Sequence, residues 1–214
     1  MPLTIINSIA SWILKKRIHQ IELFIKYPIE VQEEILFGLL RSAENTVLGK
    51  KYDYNSIKNY ATFNERIPVS TYEELEPYIN QTRQGAQNIF WHSNIKYFAK
   101  SSGTTNAKSK FIPVSSEALE NNHYKASKDL LCMYLNNNEN SQLFTGKSLR
   151  LGGSKELYEN NNTFFGDLSA ILIDNMPMWA EFSSTPSNKT SLMSDWETKL
   201  PAIIKESSLE NVTS

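Results

Sequence analysis

Cysteine is nearly missing from this chain, Cys132 being the only one in 214 residues. No disulfide framework can form within the chain, so a reducing compartment, the cytoplasm, is the expected home. Cys132 sits in the apolar run Leu130-Leu131-Cys132-Met133, which reads as buried filler and not as a reactive thiol. An excess of one charge is missing as well: 22 basic against 23 acidic residues leave a formal net charge of -1, with no basic stripe. That excludes the usual signature of a nucleic-acid partner. The three histidines and single cysteine show no metal-ligand spacing. No internal repeat is found. The Gly-x-Ser-x-Gly elbow is absent, which argues against Ser101 or Ser102 as a hydrolase nucleophile. Long apolar runs are missing too. Thr4 to Leu14 is apolar but far too short to span a bilayer. Lys15, Lys16 and Arg17 follow that run instead of preceding it, the reverse of a secretory signal. No membrane partner is expected. Ile6, Ile9 and Ile13 fall on one helix face, as do Ile18, Ile21 and Ile25. They read as a docking helix, with a membrane-surface helix as the alternative.

What is present is an ordinary globular composition, 40% hydrophobic and 21% charged, in a chain long enough for one large domain. The expected class is α/β, with helices packed on a β-sheet behind an N-terminal helical pair in residues 1–45. Tyr27-Pro28 separates the pair, because proline removes a donor and restrains its predecessor. The second helix carries Val31, Ile35, Leu36, Leu39 and Leu40 on one side. Asn45 through Tyr54 reads as a loop. Thr62-Phe63-Asn64-Glu65 and Ser70-Thr71-Tyr72-Glu73 have the form of capping boxes, the second opening a helix toward Tyr78 and Ile79. Residues 86–114 then read as strand–loop–strand. Asn88 to Trp91, Ile95 to Ala99 and Phe111 to Val114 are rich in aromatic and β-branched residues.

Residues 115–214 read as an α/β continuation. Ser115 or Ser116 caps a helix to about Leu135, with Leu119, His123, Ala126, Leu130 and Tyr134 near one face. Asn136 to Asn140 and Asn160 to Asn162 read as solvated turns. Ser148 to Leu151 reads as a strand ending at the turn Gly152-Gly153. Leu168 to Ile173 fits a strand or a short helix equally. Trp196 to Glu206 is an amphipathic helix with Pro201 as a local problem. Leu209 to Val212 reads as the approach to another strand, so the natural protein is expected to continue.

The run with chemistry in it is Ser101-Ser102-Gly103-Thr104-Thr105-Asn106-Ala107-Lys108-Ser109-Lys110. Hydroxyls and turn N–H groups can form a concave nest of donors for an anion. Gly103 allows positive φ and a close backbone approach. Lys108 and Lys110 supply mobile point charges, and Lys110 begins the following strand. The common phosphate loop is not matched, since Lys108 stands where its second glycine belongs and no helix follows directly. A hydrophilic hairpin without a ligand would show the same composition.

The suite Ser101-Ser102-Gly103-Thr104-Thr105 followed by Lys110-Phe111-Ile112-Pro113 resembles the first signature of adenylate-forming enzymes. It is closest to the auxin-responsive acyl-acid amido synthetases of plants and their bacterial relatives. Further agreement comes from Thr46, Gly49-Lys50-Lys51-Tyr52, Phe63, Ile67-Pro68-Val69-Ser70-Thr71-Tyr72, Tyr78-Ile79 and Gly85. Gly166-Asp167-Leu168-Ser169 and Asn211-Val212-Thr213-Ser214 extend it, so the resemblance covers most of the chain. It implies the N-terminal part of the large domain of such an enzyme, with the C-terminal domain absent. ATP and Mg2+ are the implied cofactors, and a small carboxylic acid and an amine or amino acid the implied substrates. Ser101, Ser102, Gly103, Thr104, Thr105 and Lys110 would hold the phosphates. Lys110 is the favoured catalytic countercharge, or else the anchor of the loop. His123, Tyr124 and Lys128 are candidates to meet the acid, against the plainer reading of a mixed helix face. Ala107 replaces a glycine common in the family, and the later family signatures lie beyond this chain, so it is not expected to turn over alone. The alternative is a non-catalytic nucleotide- or acid-binding module.

Overall fold

Tyr27-Pro28 does break the N-terminal helices, but it separates the second from the third, so the expected pair is a triplet. The computed structural model describes residues 2–101, 109–153 and 163–214. Its helices are α1 (Pro2–Lys15), α2 (Ile18–Lys26) and α3 (Pro28–Ala43), followed by α4 (Val47–Lys51), α5 (Tyr60–Arg66) and α6 (Tyr72–Arg83). The additional break at Lys16 and Arg17 carries no proline or glycine. It is a turn in which Arg17 N–H donates to Leu14 O at 3.0 Å. Arg17 is also spent on a two-pronged pair with Asp129, Nε to Oδ1 at 2.6 Å and Nη2 to Oδ2 at 3.2 Å. A distant partner thus fixes a break that local propensity does not announce. The strands β1 (Tyr97–Lys100) and β2 (Phe111–Val114) precede a helical run in three parts. These are α7 (Ser116–Ala118), a π-helical stretch over Leu119–Tyr124 and α8 (Lys125–Asn137). Then come β3 (Ser148–Leu149), β4 (Phe164–Gly166), α9 (Leu168–Asp174), α10 (Met178–Phe182), β5 (Ser184–Thr185), α11 (Asn188–Ser191) and α12 (Trp196–Ser207). The class is the mixed α/β one expected, with helices dominating.

The chain divides into two compact units. One holds Glu22–Glu117 and Tyr158–Phe165, the other Met1–Ile21, Ala118–Leu157 and Gly166–Ser214. The core of the first gathers Ile79, Ile95, Phe98 and Phe165, with Tyr72, Leu75, Phe90, Trp91 and Phe111 packed against it. Its sheet runs β2-β1-β4, and β1 and β2 are antiparallel with Tyr97 opposite Val114 and Lys100 opposite Phe111. Phe98 and Ala99 are both buried because β1 is the central strand, covered on both faces. Residues 88–91, expected as a strand, spend their backbone elsewhere. Asn88 turns to φ 60 and its carbonyl accepts from Val47 N–H, while Ile89 O accepts from Leu48 N–H. Those two bonds also make a helix, α4, of a segment expected to be loop. Both expected capping boxes are displaced. Asn59 caps α5 by accepting from Thr62 N–H at 2.8 Å. In α6 the box is Thr71 with Glu74, one residue after the expected one. Gly85 at φ 100 closes α6, with Ala86 N–H on Gln81 O and Gly85 N–H on Thr82 O.

In the second unit α1 lies along α8, and buried Asn7 joins it to the following loop. Its Nδ2 donates to Ser141 O and its Oδ1 accepts from Phe144 N–H, each at 3.0 Å. Leu168–Asp174, ambiguous by pattern, is a helix whose Ala170 and Ile173 pack with Leu192 and Met176. The parallel pair β3-β5 is extended by a bridge from Lys147 to Val212, which gives the approach to a strand at Leu209 to Val212 its partner. Pro201 is accommodated within α12 without ending it. Cys132 is fully buried, as expected of filler.

Candidate functional site

The hairpin of β1 and β2 is the scaffold of the site. Beyond the last ladder pair, Ser101 N–H donates to Lys110 O at 2.9 Å. Both ends of the hydroxyl-rich loop are therefore clamped opposite one another, and Ser101, Ser109 and Lys110 are half-buried. Ser102, Gly103, Thr104, Thr105 and Lys108 lie outside the described residues.

Lys110 is already engaged. Its Nζ lies 3.1 Å from Glu73 Oε1 and 5.0 Å from the centre of the Tyr72 ring. The Glu73 carboxyl is held below the usual carboxylate range, first by its own backbone hydrogen bond and then by the Lys110 ammonium. Tyr72 Oη accepts from Phe111 N–H at 2.9 Å, so the first turn of α6 touches both residues that leave the loop. At the other end of α6 the Arg83 guanidinium stacks on Phe111, 3.9 Å from the ring centre, and sits 4.9 Å from that of Phe165. In the sequence Glu73 stands out only as part of a helix start and Tyr72 as part of that start and of the family-like run Ile67 to Tyr72, while Arg83 carries no signal at all.

His123, Tyr124 and Lys128 occupy the helical run of the second unit. The π stretch over Leu119–Tyr124 holds the first two, and such widened turns recur at functional sites. Tyr124 Oη donates to Leu172 O at 2.9 Å, which ties the run to α9. His123 is half-buried and Lys128 exposed. The same stretch overturns the expected face. Leu119 is buried, but Leu130 and Tyr134 are 69% and 47% exposed while Cys132 and Leu135 are buried. The wider turn rotates everything after it, moving the buried stripe along the sequence.

A second cluster escaped the sequence reading. Lys199 is 2% exposed, and its Nζ donates to Gly152 O at 2.6 Å and Gly153 O at 3.3 Å. Gly153 N–H donates to Ser169 Oγ at 2.9 Å. Burial pushes the Lys199 pKa down, and the Asp167 carboxylate opposes that shift. Gly152 and Gly153 are thus clamped by Lys199 and Ser169.

The sequence model described as the GH3 family N-terminal domain matches residues 17–214. The chain belongs to the GH3 family. Among its GH3 relatives, the indole-3-acetic acid-amido synthetase GH3.2 of Arabidopsis thaliana is 33% identical over 106 residues, 49% of this chain and 19% of that protein. The jasmonoyl–L-amino acid synthetase JAR4 of Nicotiana attenuata is 32% identical over 104 residues, 48% of this chain and 18% of that one. The chain thus matches about a fifth of the length of these curated relatives. Among solved structures the GH3.15 acyl acid amido synthetase superposes with a TM-score of 0.71 at 19% identity, covering 87% of this chain and 32% of that one. The fold is therefore shared over most of this chain. No described helix is long and apolar enough to cross a membrane.

Proposed function

We propose that this chain is the ATP-gripping, N-terminal portion of an acyl-acid amido synthetase, with the hairpin 101–110 holding the polyphosphate. The observation that carries the reading is the clamped stem, Ser101 opposite Lys110, on a hydroxyl-rich loop in a GH3 chain. In the first half-reaction an oxygen of a carboxylate attacks the α-phosphorus of ATP. The bond to the β,γ-phosphates breaks, giving an acyl-adenylate and pyrophosphate. In the second an amine nitrogen attacks the acyl carbon, loses a proton to solvent, and AMP leaves with the carbon–oxygen bonding pair. The names of the relatives, which conjugate indole-3-acetic or jasmonic acid, favour a small carboxylic acid and an amino acid as substrates.

The work asked of these residues is electrostatic, the holding of charge that builds on departing pyrophosphate. Ser101 and its neighbours supply donors, and Lys110 supplies the countercharge. Magnesium accompanies ATP in this reading, but among the described residues no three of His, Cys, Asp and Glu gather to hold a metal. His123 and Lys128 remain the candidates for the acid. Tyr124 is the weakest of the three, because its hydroxyl is tied to Leu172 O.

Calorimetry with ATP tests the grip. Lys110→Ala should weaken ATP binding about tenfold, the loss of one charge-assisted bond, while the melting temperature stays near that of the parent. A chain that binds no ATP sinks the proposal. In a protein completed to the length of its relatives, ATP–pyrophosphate exchange should require an added carboxylic acid. Tight ATP binding with no exchange across a broad acid panel would favour the non-catalytic module instead.

A further inference from the structure

We infer that the first turn of α6 sets the working position of Lys110, with Tyr72 fixing the strand behind it and Glu73 holding its ammonium until a polyphosphate takes the carboxylate's place. The inference rests on the phosphate reading of the hairpin and gives Tyr72 and Glu73 a role there. Among the described strands β2 is an edge in the order β2-β1-β4, so its outward N–H groups have no strand partner there. Phe111 offers such a group, and Tyr72 Oη accepts it at 2.9 Å. This contact pins the backbone next to Lys110. The side chain is held by a second contact, Nζ to Glu73 Oε1 at 3.1 Å, over the Tyr72 ring.

The platform itself is fixed. Thr71 and Glu74 close a reciprocal cap, Thr71 N–H donating to Glu74 Oε2 at 2.7 Å and Glu74 N–H to Thr71 Oγ1 at 3.3 Å. Further along, Ile79 is locked in the aromatic core. The ion pair, by contrast, is built to be exchanged. The Lys110 and Glu73 side chains are 37% and 58% exposed, within reach of a solute. A lysine is a point charge on a flexible stem, so it can swing from one anion to another while its backbone stays in place. A carboxylate carries one negative charge, and a triphosphate several. Glu73 thus keeps the ammonium aimed, then yields it to the polyphosphate, at the cost of competing with that ligand.

The test is calorimetric titration of inorganic tripolyphosphate into the full 214-residue chain. Glu73→Gln keeps the shape and removes the competing charge. It should tighten binding about threefold to fivefold, the range an exposed ion pair can supply. Glu73→Asp, which keeps the charge, should stay near the parent. The gain should vanish in a Lys110→Ala background, a coupling that a merely structural role of Glu73 would not produce. Tyr72→Phe, which loses the acceptor for Phe111 N–H, should weaken binding by a similar factor with little change in melting temperature. Binding unchanged or weakened by Glu73→Gln, or a gain that persists with Lys110→Ala, overturns the exchange alone. A parent chain that binds no tripolyphosphate overturns the phosphate reading and the exchange together.

Discussion

Lys199→Ala is expected to remove about 2–5 kcal/mol of stability, the usual result of truncating a long buried side chain and stranding the acceptors of its donor. The side chain is 2% exposed and its ammonium sits between two carbonyls, 2.6 Å from Gly152 O and 3.3 Å from Gly153 O. Alanine leaves both acceptors without this donor and opens a cavity where three methylenes and the ammonium packed. Lys199→Met separates these contributions. It refills most of the volume and removes the charge but still leaves the carbonyls short, so it should cost only about 1–3 kcal/mol. The pH dependence gives an independent check. Burial lowers the Lys199 pKa in the fold, against the partial opposition of Asp167. Between that lowered value and the ordinary one near 10.5, the unfolded chain binds more protons than the folded chain, so stability should rise with pH across this window. Urea unfolding at stepped alkaline pH should show the rise in the parent and lose it in Lys199→Met. A Lys199→Ala midpoint equal to the parent's would mean that the ammonium does not hold the backbone at Gly152 and Gly153.

Side chains of this kind mark where sequence reasoning ran out. The β1–β2 hairpin was legible because two runs of aromatic and β-branched residues flank a polar loop, and the ladder from Tyr97 to Phe111 follows that division. The opening of α6 was legible to within one residue, since a hydroxyl followed three positions later by glutamate is a local signal. Lys199 was not. A lysine in an amphipathic helix gives no local sign of burial, and the Gly152 and Gly153 carbonyls that accept from it lie far away in the chain. The π stretch over Leu119–Tyr124 was invisible for another reason. It keeps a helical composition while changing the turn width, so the pattern named the helix correctly and its buried face wrongly. Residues 88–91 have strand-forming side chains, yet their carbonyls serve α4, a choice settled by tertiary contact. At the site, Ser101 and Lys110 were readable as the residues that leave the two strands. The partners of Lys110 were not, because Tyr72 and Glu73 lie far back in the chain and reach it only after α6 folds against β2.

Gly49→Ala should be the second severe substitution, and its effect tells how the family-like segment from Thr46 to Tyr52 is to be understood. Gly49 sits in α4, where the chain turns back against the end of α3. An added Cβ would run into Ala43 O far inside contact distance, with Glu44 O at 2.8 Å and Ala43 C at 2.9 Å. These are backbone atoms, so no rotamer can move them aside, and the helix end or α4 itself must shift. Shifting is expensive here. Thr46 is 0% exposed; its Oγ1 donates to Ala43 O at 2.7 Å and accepts from Gly49 N–H at 2.9 Å. Val47 and Leu48 are meanwhile bonded to the carbonyls of Asn88 and Ile89. One methyl group therefore strains a corner with several buried hydrogen bonds. The expected loss is about 3 kcal/mol, at the upper end for overpacking, read as a lower urea midpoint with an unchanged slope. Thr46→Val, which keeps the volume and removes the hydroxyl, should cost about 1–3 kcal/mol by stranding Gly49 N–H, while Ala43 O keeps the bond it accepts from Thr46 N–H at 3.0 Å. Neither change should alter ATP affinity at temperatures where the variants remain folded, because the hydrogen bonds of Thr46 run to Ala43 and Gly49, while Lys110 is held by Glu73 and the Tyr72 ring. A Gly49→Ala chain as stable as the parent would show that the corner has slack, and the shared Thr46 and Gly49 would then need a functional explanation in place of a steric one.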